Sequence, residues 1–594
     1  MSLIVQKFGG TSVADSQKIL AAARKAIRAQ LEGNQVVLVV SAMGKNTDLL
    51  VSLASEITDR PSAREMDMLL STGEQVSVAL MAMAIQSLGH QAISLTGAQI
   101  GIKTDSTHTK ARIKSISTER MRRLLDEGNI VIAAGFQGID EDFNITTLGR
   151  GGSDTTAVAL AAVLGATACE IYTDVDGVYT TDPRVLPEAR RVERISYDEM
   201  LELASLGAGV MHNRAIEFAK KFHVPIRVRS SLSDSLGSEI GGNVESCTQP
   251  VCGAALLKDE ARISLLGVPD VPGTSLEFFS RIAARNVSVD MIVQNVGEAG
   301  KADISFTIPS NELRVTLEAV AEAAEVAGVD EVTHDERSSK ISVVGLGMSR
   351  QTGVADRMFR ALADADVNIQ MITTSEIKIS VLVERDSAQK ALSVVHQVFE
   401  LDKQPVSAVS QDQPVDDVGP TNAADVVDRL RGVDMEELTI DDIQLDPTQA
   451  RITISGVPDS PGMAARVFEE VAAAGIFVDM IVQSYTGRPD GARLSFTVPR
   501  QELDESVTVV NRLAASFNCG GVSSSPSIAK LSVSGVGLRS HTGVAIRMFQ
   551  AFAKAKINVE MINTSEVRVN VVVDGKQGEQ ALANLQAAFA DVMR

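Results

Sequence analysis

The chain of 594 residues is long enough for about four domains, and its 44% hydrophobic content supports large buried cores. Aromatic residues make up 4% of it and tryptophan is absent, so packing must rest on Val, Ile, Leu, Ala and Met. The net charge of −20 argues against a nucleic-acid surface, which needs clustered Lys and Arg. Four cysteines in a chain of this length are no disulfide framework, and no Cys/His pairing completes a zinc site.

The absence of a disulfide framework fits a protein in a reducing compartment. The first predicted strand begins at Leu3, so we expect no signal or transit peptide before it. No apolar run approaches the length of a membrane span, and Val76–Ile85, among the longest, contains Ser77. We therefore expect a cytoplasmic protein with no membrane segment.

The stretch from Leu3 to Ser12 reads as a buried strand that ends in a lysine and two glycines before a helix opens at Ser12. Gly9 and Gly10 let backbone N–H groups approach an anion, and Lys7 adds a full positive charge. The combination suits the terminal phosphates of a nucleotide. An ordinary strand–turn–helix with a solvated lysine explains the same residues equally well.

Strands and helices alternate through residues 1–245. The predicted strands are Leu3–Phe8, Val36–Val40, Gln91–Leu95, Ile130–Ala134, Cys169–Thr173 and Pro225–Arg229, and the main helices are Ser62–Leu88, Glu119–Glu127, Thr155–Leu164 and Val210–Lys221. This alternation indicates a mainly parallel sheet covered on both faces, with ligands beyond the carboxyl ends of its strands. Four polar or glycine-rich segments fall there, namely Ser41–Thr47, Leu70–Glu74, Gly149–Asp154 and Tyr172–Arg184.

The segment Gly149–Asp154 is the most informative of the four. Three glycines, Arg150 and a helix N-terminus form a cradle for a carboxylate or phosphate, and Arg150 can bind a carboxylate through two hydrogen bonds. A plain helix-entry turn rarely needs all of these, which favours a binding site.

Several other motifs are excluded. The acidic segment from Asp174 is not a calcium loop, because its twelfth position is Val185 where a bidentate Glu is required. It is either an acidic loop beside a nucleotide or a surface turn. The sequence also lacks the P-loop, the protein-kinase signature and a complete G-x-G-x-x-G. An appended dinucleotide-binding dehydrogenase is therefore not expected.

Taken in order, four motifs resemble the aspartate kinases of the amino acid kinase family: Lys7–Val13, Ser71–Glu74, Gly149–Asp154 and Tyr172–Gly177. Each is modest alone, but the ordered set is highly specific. The resemblance implies an α/β catalytic domain, an amino acid kinase-like αβα sandwich. It also implies transfer of the γ-phosphoryl group of ATP to the side-chain carboxylate of L-aspartate, the first step of lysine, threonine and methionine biosynthesis. Mg²⁺ would enter with ATP, held largely by phosphates and water, and no protein ligand for it is predicted.

The resemblance also implies roles for individual residues. Lys7 would neutralise charge on the transferring group, and Asp154 would orient Lys7. Aspartate would be bound through its α-carboxylate by Arg150 and through its α-ammonium by Glu74, with Thr47, Gly151, Gly152 and Ser153 nearby. The nucleotide would be bound by Gly9, Gly10, Ser41, Thr173, Asp174, Tyr179, Asp182 and Arg184.

The chain departs from the family pattern at Gly209, where many relatives carry a lysine near the nucleotide. Arg184 and Arg214 are the candidates to replace its charge.

An internal duplication occupies the second half of the chain. Gly267–Gly273 returns as Gly456–Gly462, and Val289–Gln294 returns as Val478–Gln483, both displaced by 189 positions. Later motifs are 190 positions apart, so one inserted residue in the second copy explains the shift.

Each copy holds two similar halves that resemble ACT domains, α+β modules of βαββαβ (ferredoxin-like) topology that bind amino acids where two of them pair. The expected domains are the catalytic domain at 1–245, a linker at 246–260, unit 1 at 261–337, unit 2 at 338–400, an acidic connector at 401–450, unit 3 at 451–527 and unit 4 at 528–594. Within the connector we expect a short helix near Ala423–Leu430 and otherwise a solvated acidic face.

The repeated Pro-Asp-x-Pro-Gly is a turn before a helix on any reading, and its carboxylate beside a helix N-terminus also suits a zwitterion. The ACT resemblance implies one effector site of Asp270, Gly273, Ser275 and Gln294, with Asn368 and Ile369 from the facing unit. The corresponding residues of the second copy are Asp459, Gly462, Ala464, Gln483, Asn558 and Val559. Ser375, Glu376, Ser565 and Glu566 also match effector contacts of the family. The expected effectors are L-lysine and L-threonine, acting by feedback inhibition in a homodimer or larger homo-oligomer that pairs through these units.

Two other functions stay open. The first is an amino acid kinase acting on a different carboxylate or on a carbamate, against which Arg150 together with Glu74 argues. The second is an amino-acid sensor with an inactive kinase-like part, which Gly209 favours and which Lys7, Arg150 and Asp154 oppose.

Overall fold

The structure is a computed structural model that describes residues 2–208, 210–245, 249–296, 300–405, 435–485, 492–538 and 543–593. Gly209 and the helix expected near Ala423–Leu430 lie outside these ranges.

The catalytic domain alternates strands and helices as the sequence predicts. In chain order its strands are β1 (Leu3–Phe8), β2 (Gln35–Val40), β3 (Ala92–Leu95), β4 (Ile102–Thr104), β5 (Ile113–Ile116), β6 (Ile130–Ala134), β7 (Gln137–Ile139), β8 (Ile145–Thr147), β9 (Ala168–Thr173), β10 (Val178–Tyr179), β11 (Arg191–Val192), β12 (Arg194–Ser196), β13 (Ile226–Ser230) and β14 (Ser238–Gly241). Its helices are α1 (Ser16–Leu31), α2 (Asn46–Ile57), α3 (Ala63–Ser87), α4 (Gly97–Ile100), α5 (Glu119–Asp126), α6 (Gly152–Leu164), α7 (Tyr197–Leu203) and α8 (Asn213–Phe222).

The central sheet runs in the order β12-β14-β13-β9-β1-β2-β6-β3 and is parallel except between β13 and β14. Along β2, Val36 and Leu38 pack with α1 and α3, whereas Val37 and Val39 pack with the fully buried α6. Both faces of the strand are therefore covered, which is why it is apolar throughout. The predicted mainly parallel sandwich is confirmed.

The start of the first helix differs from the prediction. A single 3-10 turn at Gly10–Val13 follows β1, and α1 begins only at Ser16, after Asp15 caps it by accepting the N–H of Lys18 at 2.9 Å. The helix opening expected at Ser12 was therefore wrong by one turn.

Among the described residues, α3 is the helix long and apolar enough to cross a membrane by length and composition. Half of its most apolar stretch is buried inside the protein, as for the core helix of a folded domain. The segment Leu70–Glu74 continues this helix, which brings the buried Glu74 onto a rigid element.

The second half of the chain consists of strands and helices in the repeated pattern. Its strands are β15 (Gly253–Pro269), β16 (Ile292–Val296), β17 (Lys301–Pro309), β18 (Glu331–Val344), β19 (Met371–Thr374), β20 (Lys378–Glu384), β21 (Thr439–Asp446), β22 (Gln449–Val457), β23 (Ile481–Tyr485), β24 (Ala492–Pro499), β25 (Gly521–Ser525), β26 (Ile528–Val536), β27 (Met561–Thr564) and β28 (Arg568–Asp574). Its helices are α9 (Thr274–Ala284), α10 (Leu313–Ala327), α11 (Val354–Asp364), α12 (Ala388–Val398), α13 (Met463–Ala473), α14 (Leu503–Ser516), α15 (Gly543–Lys554) and α16 (Gly578–Phe589).

In each copy, the strand that completes the second unit precedes the first unit in the sequence. The start of β15, Gly253–Leu257, pairs with the end of β18, and β21 pairs with β26 in the same way. Part of the range expected as a linker and part of the expected connector are thus sheet strands. A βαββαβ unit needs a fourth strand, and units 2 and 4 take theirs from upstream.

The units pair across the two copies. β19 of unit 2 pairs antiparallel with β23 of unit 3, and the rings of Phe359 and Phe468 lie 5.6 Å apart between them. Unit 1 packs on unit 4, with Phe279 stacked on Phe549 at 5.7 Å. The expectation that the two units of one copy face each other was wrong.

Candidate active site

A cavity of about 1030 Å³ opens beyond the carboxyl ends of β1, β2 and β6. Many of the residues predicted from the sequence line it: Lys7, Gly10, Ser41, Thr47, Glu74, Arg150, Gly151, Gly152, Ser153 and Asp154. Segments separated by more than a hundred positions therefore meet around one space, at the edge where parallel sheets bind ligands.

The cationic centre of the cavity is an ion pair. The Nζ of Lys7, on β1, lies 2.6 Å from Oδ1 of Asp154, in the first turn of α6, and each side chain is 11% exposed. The carboxylate fixes the direction of the ammonium while leaving it at the cavity wall. The positive charge is preorganised for an anionic ligand.

Two glycines after β1 have different roles. The N–H of Gly9 donates to the carbonyl of Tyr172 at 3.3 Å, so it belongs to the strand ladder. A Cβ at Gly10 would lie 2.7 Å from the carbonyl oxygen of Ala42, so a side chain there would force the strand ends apart. Gly10 is the glycine that brings backbone to the cavity surface.

Glu74 supplies a buried carboxylate. Its Oε1 accepts the N–H of Ala42 at 3.1 Å, whereas its buried Oε2 accepts no hydrogen bond from the described residues. Burial raises the pKa of Glu74 to about 7. An unsatisfied, desolvated acceptor of this kind is suited to a cationic ligand group.

The turn before α6 carries Arg150 on glycines in the left-handed region. Gly149 has φ +77° and Gly151 φ +71°, and a Cβ at Gly151 would lie 2.2 Å from the Cβ of His212. Arg150 itself is exposed at the cavity, and it forms no ion pair with any residue that the structure describes. Its guanidinium is available to a carboxylate.

The remaining residues predicted for the nucleotide follow β9 rather than lining this cavity. Thr173 and Asp174 continue β9 beside the end of β1, with Thr173 donating to the Asp174 carboxylate at 3.0 Å. Tyr179 donates to Asp176 at 2.7 Å, and Arg184, 88% exposed, pairs with Asp182 at 2.8 Å. Thr173 and Asp174 lie at the same edge of the sheet as the cavity, but none of these five side chains lines the cavity with Lys7.

Several cavity residues have no signal in the sequence motifs. Thr109 and Lys110 line the wall beside Arg150, on a loop anchored by the fully buried Asp67. That carboxylate accepts from His108 Nδ1 at 2.7 Å and from the N–H of Thr109 at 3.0 Å. A lone Asp inside a helix gives no hint of such a contact.

His212, Arg214 and Glu436 also line the cavity. Burial lowers the pKa of His212, so its imidazole is neutral at pH 7. Arg214 was a candidate to replace the charge missing at Gly209, but it is engaged by the Glu436 carboxylate at 2.5 Å. No sequence pattern links two residues 222 positions apart.

This geometry can be compared with known proteins. The aspartokinase of Pseudomonas aeruginosa is 50% identical over 405 residues, which are 68% of this chain and 98% of that protein. The chain belongs to the aspartate kinase family. Accordingly, the model of the amino acid kinase family matches residues 2–230, and that of the ACT domain matches residues 341–399, 452–513 and 531–589.

Solved aspartate kinases agree with this assignment. The crystal structure of aspartate kinase from Synechocystis is 40% identical, with a TM-score of 0.52 over 99% of this chain and 98% of that one. Aspartokinase III of E. coli in complex with aspartate and ADP is 26% identical, with a TM-score of 0.58 over 67% of this chain and 99% of that one. The same enzyme in complex with lysine and aspartate, also 26% identical, has a TM-score of 0.53 over 66% of this chain and 99% of that one.

In this kinase the residues expected to bind effectors fall into pairs that cross the copies. Asp270 accepts from Asn558 Nδ2 at 2.7 Å, and Gln294 Nε2 donates to the carbonyl of Val559 at 2.7 Å. Ser275 donates to Gln294 at 3.0 Å. Asp270 is thus paired with Asn558 and Gln294 with Val559, whereas the predicted partners were Asn368 and Ile369.

The Pro-Asp turn of the second copy, which carries Asp459, contacts unit 2 in the same way. Asn368 Nδ2 donates to Asp459 at 2.7 Å. These two residues, with Ile369, Gly462, Ala464 and Gln483, surround a space of about 10 Å³, roughly that of one water. An amino acid would have to displace the Asn368 amide from Asp459 to enter.

The two Ser-Glu pairs lie in separate spaces. Ser375 and Glu376 line a cavity of about 330 Å³ between units 2 and 3. Ser565 and Glu566 line one of about 90 Å³ between units 1 and 4. The structure does not bring these pairs together with the Asp270 and Asp459 turns in one cavity.

Proposed function

We propose that this kinase transfers the γ-phosphoryl group of ATP to the side-chain carboxylate of L-aspartate, giving 4-phospho-L-aspartate and ADP. One carboxylate oxygen forms a bond to the γ-phosphorus while the bond from that phosphorus to the bridging oxygen of ADP breaks. ADP leaves with the electron pair. The carboxylate is already ionised at neutral pH, so no general base is needed.

The observation that carries the proposal is the single cavity that joins Lys7 to Arg150 and Glu74. Arg150 binds the α-carboxylate of aspartate, Glu74 its ammonium, and Thr47 and Ser153 lie beside them. The side-chain carboxylate then points towards Lys7, which neutralises charge on the transferring group. Catalysis reduces to alignment and charge neutralisation.

The nucleotide lies along the ends of β1 and β9, on Gly10, Ser41, Thr173 and Asp174. The tight approach of Gly10 to Ala42 O leaves backbone rather than side chain at the phosphate position, which fits such a ligand. Mg²⁺ accompanies ATP and neutralises its phosphates, held by the phosphates and water. The complex of the E. coli enzyme with aspartate and ADP supports this pair of ligands.

The reaction is tested by trapping the acyl phosphate with hydroxylamine in a panel of acids with ATP. L-aspartate is expected to give the hydroxamate, whereas N-acetyl-L-aspartate, which lacks the ammonium, and succinate are expected to give little. Turnover of a different carboxylate or of carbamate in preference to aspartate would point to another amino acid kinase. No turnover of any acid would point to the inactive sensor.

We further propose that lysine and threonine inhibit the kinase by binding between paired ACT units. Binding there stabilises a conformation with lower affinity for substrate. The lysine complex of the E. coli enzyme supports an amino-acid effector. This function belongs to amino-acid biosynthesis in the cytoplasm, in a chain that we expect to assemble as a homo-oligomer.

A further inference from the structure

A short segment of the regulatory half enters the catalytic cavity. Met435–Leu438 immediately precedes β21, the strand that completes unit 4. Met435 is 1% exposed and packs in the core of the catalytic domain, and its N–H donates to the carbonyl of Lys114 at 3.2 Å. Lys221 of α8 donates to the carbonyl of Glu437 at 2.8 Å. The segment is thus held by the catalytic domain on both sides of Glu436.

This segment brings Glu436 and the exposed Glu437 to the cavity, and Glu436 is the more buried of the two. Its side chain is 9% exposed. Its Oε2 lies 2.5 Å from Nη2 and 3.2 Å from Nε of Arg214, and its Oε1 accepts the N–H of Ile113 at 3.3 Å. A carboxylate held by a fork of two guanidinium donors has a fixed position, and it fixes the guanidinium in turn.

Arg214 uses its other donors on the wall that carries Arg150. Nη1 donates to the carbonyl of Leu148, two positions before Arg150, and Nη2 donates to the carbonyl of Ala111 at 2.9 Å. The guanidinium therefore ties the Gly149–Gly152 turn to the loop before β5. Because these carbonyls and Glu436 take four of its five N–H donors, Arg214 acts mainly on the shape of the wall.

We propose that Glu436, supplied by the regulatory half, is a positioning residue for the substrate end of the active site: it holds Arg214 so that Arg214 in turn holds the turn bearing Arg150. The inference rests on the proposed function only for the identity of the substrate. It makes the aspartate site dependent on the position of β21, the strand that completes unit 4, since β21 begins at Thr439, shortly after Glu436.

Loss of the Glu436 carboxylate charge should raise the KM for aspartate and leave the KM for ATP unchanged. In Glu436→Gln the Arg214 guanidinium loses its anionic partner and is no longer fixed in orientation. The Gly149–Gly152 segment that carries Arg150 then becomes more mobile. Binding to Arg150 is lost equally from the ground and transition states, so the KM for aspartate rises by about tenfold with kcat nearly unchanged. The KM for ATP stays at the wild-type value, because Gly10 lies in the turn after β1, which Arg214 does not contact. Glu436→Asp, which retains the charge, should recover part of the effect.

The experiment compares these variants with Asp441→Asn, which removes the same charge at an exposed position on β21. A double-mutant cycle with Arg214→Gln tests the route: if Glu436 acts through Arg214, adding Glu436→Gln to Arg214→Gln raises the KM for aspartate no further. Independent additive effects, an unchanged KM in Glu436→Gln, or equal losses for aspartate and ATP would each overturn the proposal.

Hydrogen exchange separates this inference from the proposed reaction. Without any substrate, amides of residues 105–116 and 147–153 should exchange faster in Glu436→Gln than in wild type or Asp441→Asn. If the wild type turned over no aspartate but amide exchange was still faster in Glu436→Gln, the proposed reaction would be contradicted and the positioning role of Glu436 supported. Equal exchange in all three proteins would contradict the positioning role.

Discussion

Glu74 illustrates how one residue couples burial to binding. Glu74 is a buried residue of α3. One of its carboxylate oxygens accepts a hydrogen bond from the N–H of Ala42, and the other has no partner among the described residues. Desolvation disfavours its charged form, so the pKa rises to about 7. A bound ammonium would reverse that penalty by pairing with the free oxygen.

The affinity for aspartate should therefore depend on pH through Glu74. As pH falls below about 7, the raised pKa means that the carboxyl becomes protonated in the empty site and loses its attraction for an ammonium. The KM for aspartate should rise by up to about tenfold for each pH unit below that value. Initial rates measured from about pH 5.5 to pH 8.5 test this.

Glu74→Gln provides the control for that titration. The amide cannot ionise, so its KM for aspartate should be high and flat over the same pH range. A wild-type pH dependence that survives in Glu74→Gln would assign the titration to another group.

At this scale the sequence could predict the residues that lie in local motifs. Lys7, Arg150 and Asp154 each stand beside glycines at a strand end or helix start, and such positions have a readable pattern. No local sequence pattern marks Glu436 or Asp67, because only the tertiary fold brings each of them to its partner. Of the residues predicted for the nucleotide, Thr173 and Asp174 lie at the end of β9, and the side chains after this strand pair locally.

At the level of elements, the crossing of the two copies decides which effector residues act together. Helix α9 of unit 1 lies against α15 of unit 4, and α11 of unit 2 lies against α13 of unit 3. Each Pro-Asp turn thus meets an asparagine from the other copy. The hydrogen bonds Asn558–Asp270 and Asn368–Asp459 are the two equivalent contacts.

This pairing predicts the grouping of variants. Asp270→Ala and Asn558→Ala should weaken inhibition by the same effector, by about tenfold for the loss of one charge-assisted contact, without lowering uninhibited turnover. Asp459→Ala and Asn368→Ala should form a second group. Inhibition curves with lysine and with threonine, measured separately, test the grouping. If Asp270→Ala instead behaved like Asn368→Ala, the pairing across copies would not describe the effector sites.

A buried ion pair within each copy links its two units. Lys340 of β18 is 1% exposed and pairs with Asp290, and Lys530 of β26 pairs with Asp479 at the equivalent place. Removing one partner of a buried pair leaves a desolvated charge. Lys340→Met should lower the free energy of unfolding by about 3 kcal/mol in urea denaturation.

The exposed pair Lys301–Asp330 is the matched control. Lys301→Met should change the free energy of unfolding by less than about 1 kcal/mol, because water screens that pair. Equal losses in the two variants would show that burial is not the cause.

The elements themselves were largely predictable, since apolar runs bounded by glycine or polar turns mark strands in both halves. The pairing of units was not. Both copies carry nearly the same motifs, so the sequence fits pairing within a copy as well as between copies. The fourth strands of units 2 and 4 were missed for a related reason. Gly253–Leu257 and β21 lie upstream of the units that they complete, inside ranges that looked like linkers.

On the scale of the whole molecule, one chain supplies both members of each ACT pair. Units 1 and 4 share one core, and units 2 and 3 share another. The catalytic domain contacts both pairs through Glu202, whose carboxylate lies 2.8 Å from Lys378 of unit 2 and accepts the N–H of Glu566 of unit 4 at 2.9 Å. Both ACT pairs are therefore formed within one chain.

Feedback inhibition should consequently survive dilution. Over a roughly thousandfold range of enzyme concentration, the concentration of lysine or threonine that gives half inhibition should stay constant, because no second chain is needed to form the pairs. Light scattering on the same samples would report the oligomeric state. A loss of inhibition that follows dissociation would show that the effector sites require another subunit.

The central claim is that Lys7 neutralises the transferring phosphoryl group opposite an aspartate held by Arg150 and Glu74. Its most direct test is the single-turnover rate of aspartyl phosphate formation in Lys7→Ala, with the exposed Lys103→Ala as control. We expect a fall of about two to three orders of magnitude in Lys7→Ala alone, with circular dichroism and calorimetric aspartate binding retained. A near-normal rate in Lys7→Ala would contradict the account.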